Sequence, residues 1–171
     1  ECINGIILHP TALAENTMLL AEICIDNYPV VLLDSMTNGI PLTCVQSDNL
    51  SGGYEAARHL IECRYEQLYF VSHLAIHAAA SVRDRFMGFY KAIKENGIPF
   101  SDSQCITSFI PWLKKTAIPF EYSFKENPEA FRKVANEIVM QSHGKRCGIF
   151  AINDEIATSL QAALNELQVD I

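Results

Sequence analysis

The sequence predicts an α/β fold in which short strands alternate with helices and form mostly parallel sheet. Three observations carry this. Six short runs read as strands, most of them continuously apolar as strands buried on both faces are, with Cys105 to Ile110 alternating. Five intervening stretches repeat their apolar residues at helical spacing. Gly, Pro, Asn and Asp fall at the junctions, where turns and caps need them. Such alternation implies right-handed crossovers and sheets covered on both faces.

Each element has its own local reason. Ile3 to Leu8, broken only by Asn4 and Gly5 and closed by His9-Pro10, reads as the first strand. Glu15 to Asp26 places Met18, Leu19, Ile23 and Ile25 at helical intervals, and Pro29 stops that helix. Val30 to Leu33 is the second strand, ending at Asp34, and Asn38-Gly39 marks the loop beyond it. Thr43 to Ser47 is the third strand. A helix then runs to about Cys63 on Tyr54, Ala57, Leu60 and Ile61, with Asn49 as its expected N-cap. Gly52 and Gly53 are poor helix formers, so their place in that first turn predicts that something packs tightly on the backbone.

Leu68 to Val71 is the fourth strand. The helix from about Ser81 to Asn96 is closed by Gly97, with Pro99 just beyond. Cys105 to Ile110 reads as the fifth strand. Asn127-Pro128 opens a helix with Pro in its first turn and Phe131, Val134, Ile138 and Val139 on one side. Ile149 to Ile152 is the sixth strand. Asn153-Asp154 caps a last helix striped by Ile156, Leu160, Ala163, Leu164 and Leu167.

Composition narrows the function. Of 171 residues 49% are hydrophobic and 19% charged, with 8 Gly and 7 Pro, which suits a packed globular chain. The 13 Lys+Arg against 20 Asp+Glu give −7, which argues against this segment gripping a phosphate backbone itself. The six cysteines, at 2, 24, 44, 63, 105 and 147, form no C-x-x-C pair and mostly lie in apolar runs. They read as reduced thiols of a cytoplasmic protein packed like small hydrophobes. No apolar run reaches a membrane span, and no basic-then-apolar leader opens the chain. The chain begins without Met, almost directly on an apolar run, and is expected to be cut from a longer one.

In open parallel α/β sheets, ligands bind beyond the carboxyl ends of the strands. Those positions hold His9, Asp34, Ser47-Asp48, Ser72-His73, Phe109 to Trp112 and Asn153-Asp154, a strongly polar set. No G-x-S-x-G elbow, phosphate loop, G-x-G-x-x-G or H-E-x-x-H occurs, so no cofactor or metal is expected and weight moves from enzyme to binding module.

The motifs then become specific. Gly5-Ile6-Ile7-Leu8, Pro29 to Asp34, Asp48-Asn49 with Gly52-Gly53, His59-Leu60-Ile61, Arg85 with Gly88-Phe89, and Asn153-Asp154 with Ala157 follow one another in a recognisable order. In that order and spacing the chain resembles the effector-binding domain of the lactose/galactose repressor (LacI-GalR) family over essentially its whole length. The resemblance implies a periplasmic-binding-protein-like type I fold: two doubly wound parallel-sheet lobes, here incomplete, with a sugar or related metabolite held in the cleft. Residues 1–65 would belong to the N-terminal lobe and 66–171 to the C-terminal lobe, the first crossover falling near Arg64-Tyr65-Glu66. A separate N-terminal domain, outside this chain, would bind DNA, and the regulator would be a homodimer.

Site residues transfer one at a time. Arg85 matches the Arg three residues before Gly-Phe whose guanidinium points at the effector in relatives. A planar fork of donors suits ring and hydroxyl oxygens. The competing reading is a surface Arg paired with Asp84 or Asp102. Arg83 is one residue of helix rotation away and less favoured. Ser81 matches a small hydroxyl near the effector, or is a helix N-cap. Asn153 matches an effector-contacting Asn, its amide able to donate and accept, with Asp154 left to cap the helix. Asp34 matches a cleft carboxylate able to accept from two sugar hydroxyls, or is a turn former. His9 matches a polar cleft residue, or is a solvated loop histidine. Phe109 and Trp112 are the two candidates for an aromatic stacked on the ligand, either of which is otherwise core.

The chain also departs from the family. Arg64-Tyr65 replaces the usual Gly-His, and the strand and returning crossovers that follow Asn153-Asp154 have no counterpart. His73, His77 and Ala78-Ala79-Ala80 read as a loop leading to Ser81. The competing functions are a transporter's solute-binding protein, which should be secreted, and a doubly wound enzyme, which lacks a nucleophile and base in sequence.

Overall fold

The computed structural model describes residues 4–9, 14–34, 39–110 and 123–169. Its elements are β1 (Ile6–Leu8), α1 (Ala14–Ile25), β2 (Val30–Leu33), β3 (Thr43–Val45), α2 (Asn49–Glu62), β4 (Gln67–Ser72) and α3 (Ala80–Glu95). A 3-10 turn (Asp102–Gln104), β5 (Cys105–Thr107), α4 (Pro128–Ser142), β6 (Cys147–Ala151) and α5 (Asp154–Glu166) complete them. The expected alternation and element order hold among the described residues.

There are two sheets, both parallel throughout: β1-β2-β3 and β5-β4-β6. In the first, Leu32 pairs with Leu8 on one side and Cys44 on the other. In the second, Phe70 pairs with Cys105 and Phe150. β4 is the central strand there and is buried from Leu68 to Ser72. Strand alternation sends Phe70 to one face, where its ring lies 5.1 Å from Phe86 and 5.5 Å from Phe89 of α3 and stacks at 5.3 Å on Phe150. Tyr69 points to the other face and is fully buried, and that burial pushes its phenol pKa up to about 12.

The two sheets are not equally covered. In the first, only Leu20, Val30 and Leu32 are buried, with Leu8, Ile23, Ile40, Leu42 and Cys44 packed around them. The first strand was expected to be buried on both faces, but Ile7 is 72% exposed: Leu8 packs on the small core, and among the described residues nothing covers the face Ile7 occupies. The stripe read on α1 also shifts. Leu20 is its buried residue, while Met18 and Ile25 are 71% and 77% exposed.

α2 belongs with the second sheet. Its Ala57 is fully buried in that sheet's core, and Tyr54, Leu60 and Ile61 pack against the same cluster. It crosses α3 backbone to backbone: a Cβ on Gly53 would overlap the Arg85 carbonyl oxygen, and one on Gly88 the Leu50 carbonyl oxygen. Tight packing predicted at the Gly52-Gly53 pair is thus found at Gly53, while Gly52 faces open space. The passage from one packed cluster to the other thus lies at residues 46–48, between β3 and α2. Helical periodicity reveals an apolar stripe without revealing which sheet it covers.

The caps correct two assignments. Asp48, not Asn49, caps α2, its carboxylate accepting from the Ser51 N–H at 3.0 Å. Asn153, not Asp154, caps α5, accepting from the Ile156 N–H at 2.9 Å. Pro128 is in the first turn of α4, and Gly97, at φ 66°, follows the end of α3, both as expected.

Candidate functional site

The carboxyl end of β4 is flanked by its neighbours. The Ser108 N–H donates to Ser72 O at 3.1 Å, and the Ile152 N–H donates to Val71 O at 2.9 Å. Asn153 follows immediately, so the start of α5 opens at this edge. The α2–α3 crossing brings Arg85 to the same place. Its Nε donates to Asn49 Oδ1 at 2.8 Å and its Nη1 to the Ile152 carbonyl at 2.6 Å. Neither Asp84 nor Asp102 pairs with it. The surface ion pair falls instead to Arg83, 2.8 Å from Asp84. Two of the five guanidinium N–H donors are spent on these bonds, which leaves three.

Ser81 is one helical turn before Arg85 on the same face of α3 and is half-buried. It is not the helix cap, since that position is Ala79, with no side-chain bond. Asn153 spends its Oδ1 on the cap and keeps its Nδ2 donors. Ser72 is fully buried and turns the chain locally, its Oγ accepting from the Leu74 N–H at 3.1 Å. Next to it His73 is half-buried, and burial lowers its imidazole pKa.

His9 and Asp34 form a second group, at the carboxyl ends of the first sheet. A carbonyl only accepts, so the 2.8 Å contact of His9 Nδ1 with Leu33 O puts the proton on Nδ1 and leaves Nε2 outward. Asp34 follows Leu33 in the left-handed region, φ 55°, with its N–H on Val45 O at 2.8 Å. That is the turn-forming conformation Asp tolerates, and its exposed carboxylate remains available. Among the described residues no hydrogen bond joins this group to Arg85 and Asn153.

Phe109 is half-buried, with its ring edge-to-face at 5.2 Å on the fully buried Phe131. Trp112 lies outside the described residues. Sequence reasoning missed Asn49, 7% exposed, because an Asn at a helix start looks like a cap. Its true partner is on another helix, and no local signal could have pointed there.

Other chemistry is sparse. Among the described residues no three His, Cys, Asp or Glu side chains are grouped to hold a metal. Cys24, Cys44, Cys63, Cys105 and Cys147 are free thiols, and burial pushes Cys105 up to about 11, well away from a thiolate nucleophile. No described helix is long and apolar enough to cross a membrane.

Comparison with known proteins gives this geometry a context. The family model for the periplasmic binding proteins and sugar binding domain of the LacI family matches residues 2–167. The chain is 24% identical over 163 residues to the HTH-type transcriptional regulator DegA of Bacillus subtilis, an alignment covering 94% of this chain and 42% of DegA. Among solved structures it is similar to a LacI family transcriptional regulator from Enterococcus faecium with bound ribose. That match has TM-score 0.69 and 23% identity over 98% of this chain and 55% of the other. A regulator of the same family from Lactobacillus casei with bound sucrose matches with TM-score 0.70 and 16% identity, over 99% and 55%. The chain thus spans about half, or less, of the proteins it matches.

Proposed function

Because the chain belongs to the family of periplasmic binding proteins and LacI-family sugar-binding domains, we propose that it is the effector-binding part of a bacterial transcriptional regulator that takes a small sugar or related metabolite. The named relative is a regulator and not an enzyme, which favours sensing over both transport and catalysis. The two sheets are then parts of the N- and C-terminal lobes, with the ligand between their carboxyl ends.

The observation that carries the reading is Arg85. It is anchored by two bonds at the strand ends with three donors left, an arrangement suited to hydroxyl and ring oxygens. Asn153 Nδ2 and the Ser81 hydroxyl supply further polar contacts beside it. From the opposite lobe His9 and the Asp34 carboxylate would accept or donate to remaining hydroxyls, charge-assisted bonds being the stronger ones. Phe109 or Trp112 would supply the aromatic face against the sugar. Titrated sugar would act by linkage: the lobe arrangement that binds it better gains population, and DNA-binding heads supplied by a separate domain move in a homodimer in the cytoplasm.

Ribose and sucrose are the first compounds to test by thermal unfolding. A ligand at about a hundred times its Kd should stabilise the fold by about 2.7 kcal/mol. Arg85→Ala should lose that shift while keeping the ligand-free fold. Undiminished stabilisation of Arg85→Ala removes Arg85 from the site, and turnover of either sugar overturns the sensor reading.

A further inference from the structure

Asn49 has more to do than its position suggests. At the first turn of α2 it is 7% exposed, and both ends of its amide are used. Oδ1 accepts from Arg85 Nε at 2.8 Å, and Nδ2 donates to the Ser47 carbonyl at 3.1 Å. The helix does not need this side chain as a cap, because Asp48 already takes the Ser51 N–H. A buried amide of this kind costs stability unless both ends are satisfied. Here one end is satisfied locally, by Ser47 two residues back, whose carbonyl also accepts from the Asn49 backbone N–H at 2.9 Å, and the other across the fold, by Arg85 of α3. Ser47 lies in the 46–48 passage from the first sheet, and Arg85 is fastened to the Ile152 carbonyl at the end of β6.

We propose that Asn49 is a positioning residue for the candidate ligand site, holding the Arg85 guanidinium at the strand ends and tying it to the passage between the two packed units. The inference rests on the reading of Arg85 as the ligand-facing cation. An arginine held by two bonds is preorganised, so a ligand need not immobilise it. The same bonds give a ligand on the free guanidinium edge a direct route to Ser47: guanidinium, one amide, one carbonyl. Any preference of that ligand for one arrangement of the passage is then reciprocal. The amide is specific to this job. Asp keeps the acceptor for Arg85 but has no side-chain donor for Ser47, and Ala has neither; the backbone N–H of residue 49 stays on the Ser47 carbonyl in both, so the two substitutions separate the side-chain halves of the role.

The test uses the whole chain, labelled for NMR. Solvent exchange of the Arg85 Nε–H should be slow in the unaltered protein and in Asn49→Asp. It should be about tenfold faster in Asn49→Ala, the change expected on losing a hydrogen bond to a charged group. The Ser47 carbonyl resonance should shift in Asn49→Asp, and also in Arg85→Lys, which keeps the charge but not the planar fork. An unchanged Nε–H exchange in Asn49→Ala overturns the positioning role. An unmoved Ser47 carbonyl in Arg85→Lys overturns the tie to the passage, and decides the matter if Asn49→Ala fails to fold. Thermal shifts with ribose and sucrose are read in parallel. Retention in Asn49→Asp with loss in Asn49→Ala is expected, and equal shifts in all three chains count against positioning. No shift with either sugar in the unaltered chain counts against the sugar reading alone, since the exchange data decide Asn49 without a ligand.

Discussion

His73, directly beyond the buried Ser72, resists protonation because burial lowers its imidazole pKa. An unfolded histidine titrates near 6.5. As pH falls below that value the unfolded chain takes up a proton that the folded one refuses, so stability drops with acidification and is level above it. Unfolding curves at pH 7.5 and 5.5 should therefore differ, and His73→Gln should flatten the difference. An equal slope in the variant would trace the acid sensitivity to another group. At the start of α2, Asp48→Ala should cost about 1 kcal/mol in urea unfolding, the usual loss for an N-cap. A neutral result there would mean that Asn49 can take over the cap it was first expected to provide. Sequence placed these residues but not their partners. His9, Asp34 and Asn153 were legible as strand-end polar groups, whereas Arg85 and Ser81, inside a helix, were indicated only by the resemblance to the family. That Asp48 caps while Asn49 reaches across to Arg85 depends on the α2–α3 crossing, which no spacing along one helix encodes.

Between elements, the α2–α3 seam makes the sharpest contrast. Gly52 and Gly53 are neighbours in one helix, yet Gly53 lies against the Arg85 carbonyl and Gly52 against nothing. Gly53→Ala should destabilise by about 3 kcal/mol or more, since backbone on both sides must give way. Gly52→Ala should stabilise by about 0.5–1 kcal/mol, the ordinary helix gain over glycine. Urea midpoints of the two variants moving the same way would contradict the crossing. The elements themselves were largely legible: Pro128, Gly97 and the six apolar runs mark where the structure begins and ends its helices and strands. The failures came where packing decides. The α1 stripe was misread because almost every side of that helix is apolar, so periodicity could not choose Leu20 over Met18. That α2 packs on the second sheet depends on its contacts with α3 and β6, which its own apolar spacing does not encode.

At the scale of the whole molecule, two packed units of very different core size share one chain. One is built on Leu20, Val30 and Leu32, the other on β4 with Phe70, Phe89, Phe131 and Phe150 at its centre. Local opening costs least where few apolar contacts are lost. Amide exchange should therefore be fast across β1, β2 and β3 and slowest in β4. Comparable protection in Leu32 and Phe70 would show that the two units open together. The α2–α3 seam has a mechanical meaning as well. Where the helices meet through glycine and carbonyl at Gly53 and Gly88, backbone lies directly on backbone and no side chain separates them at the crossing. A displacement at Arg85 would then meet little give in the crossing itself, and residues 46–48, which belong to neither core, are where a turn of one packed unit against the other would cost least.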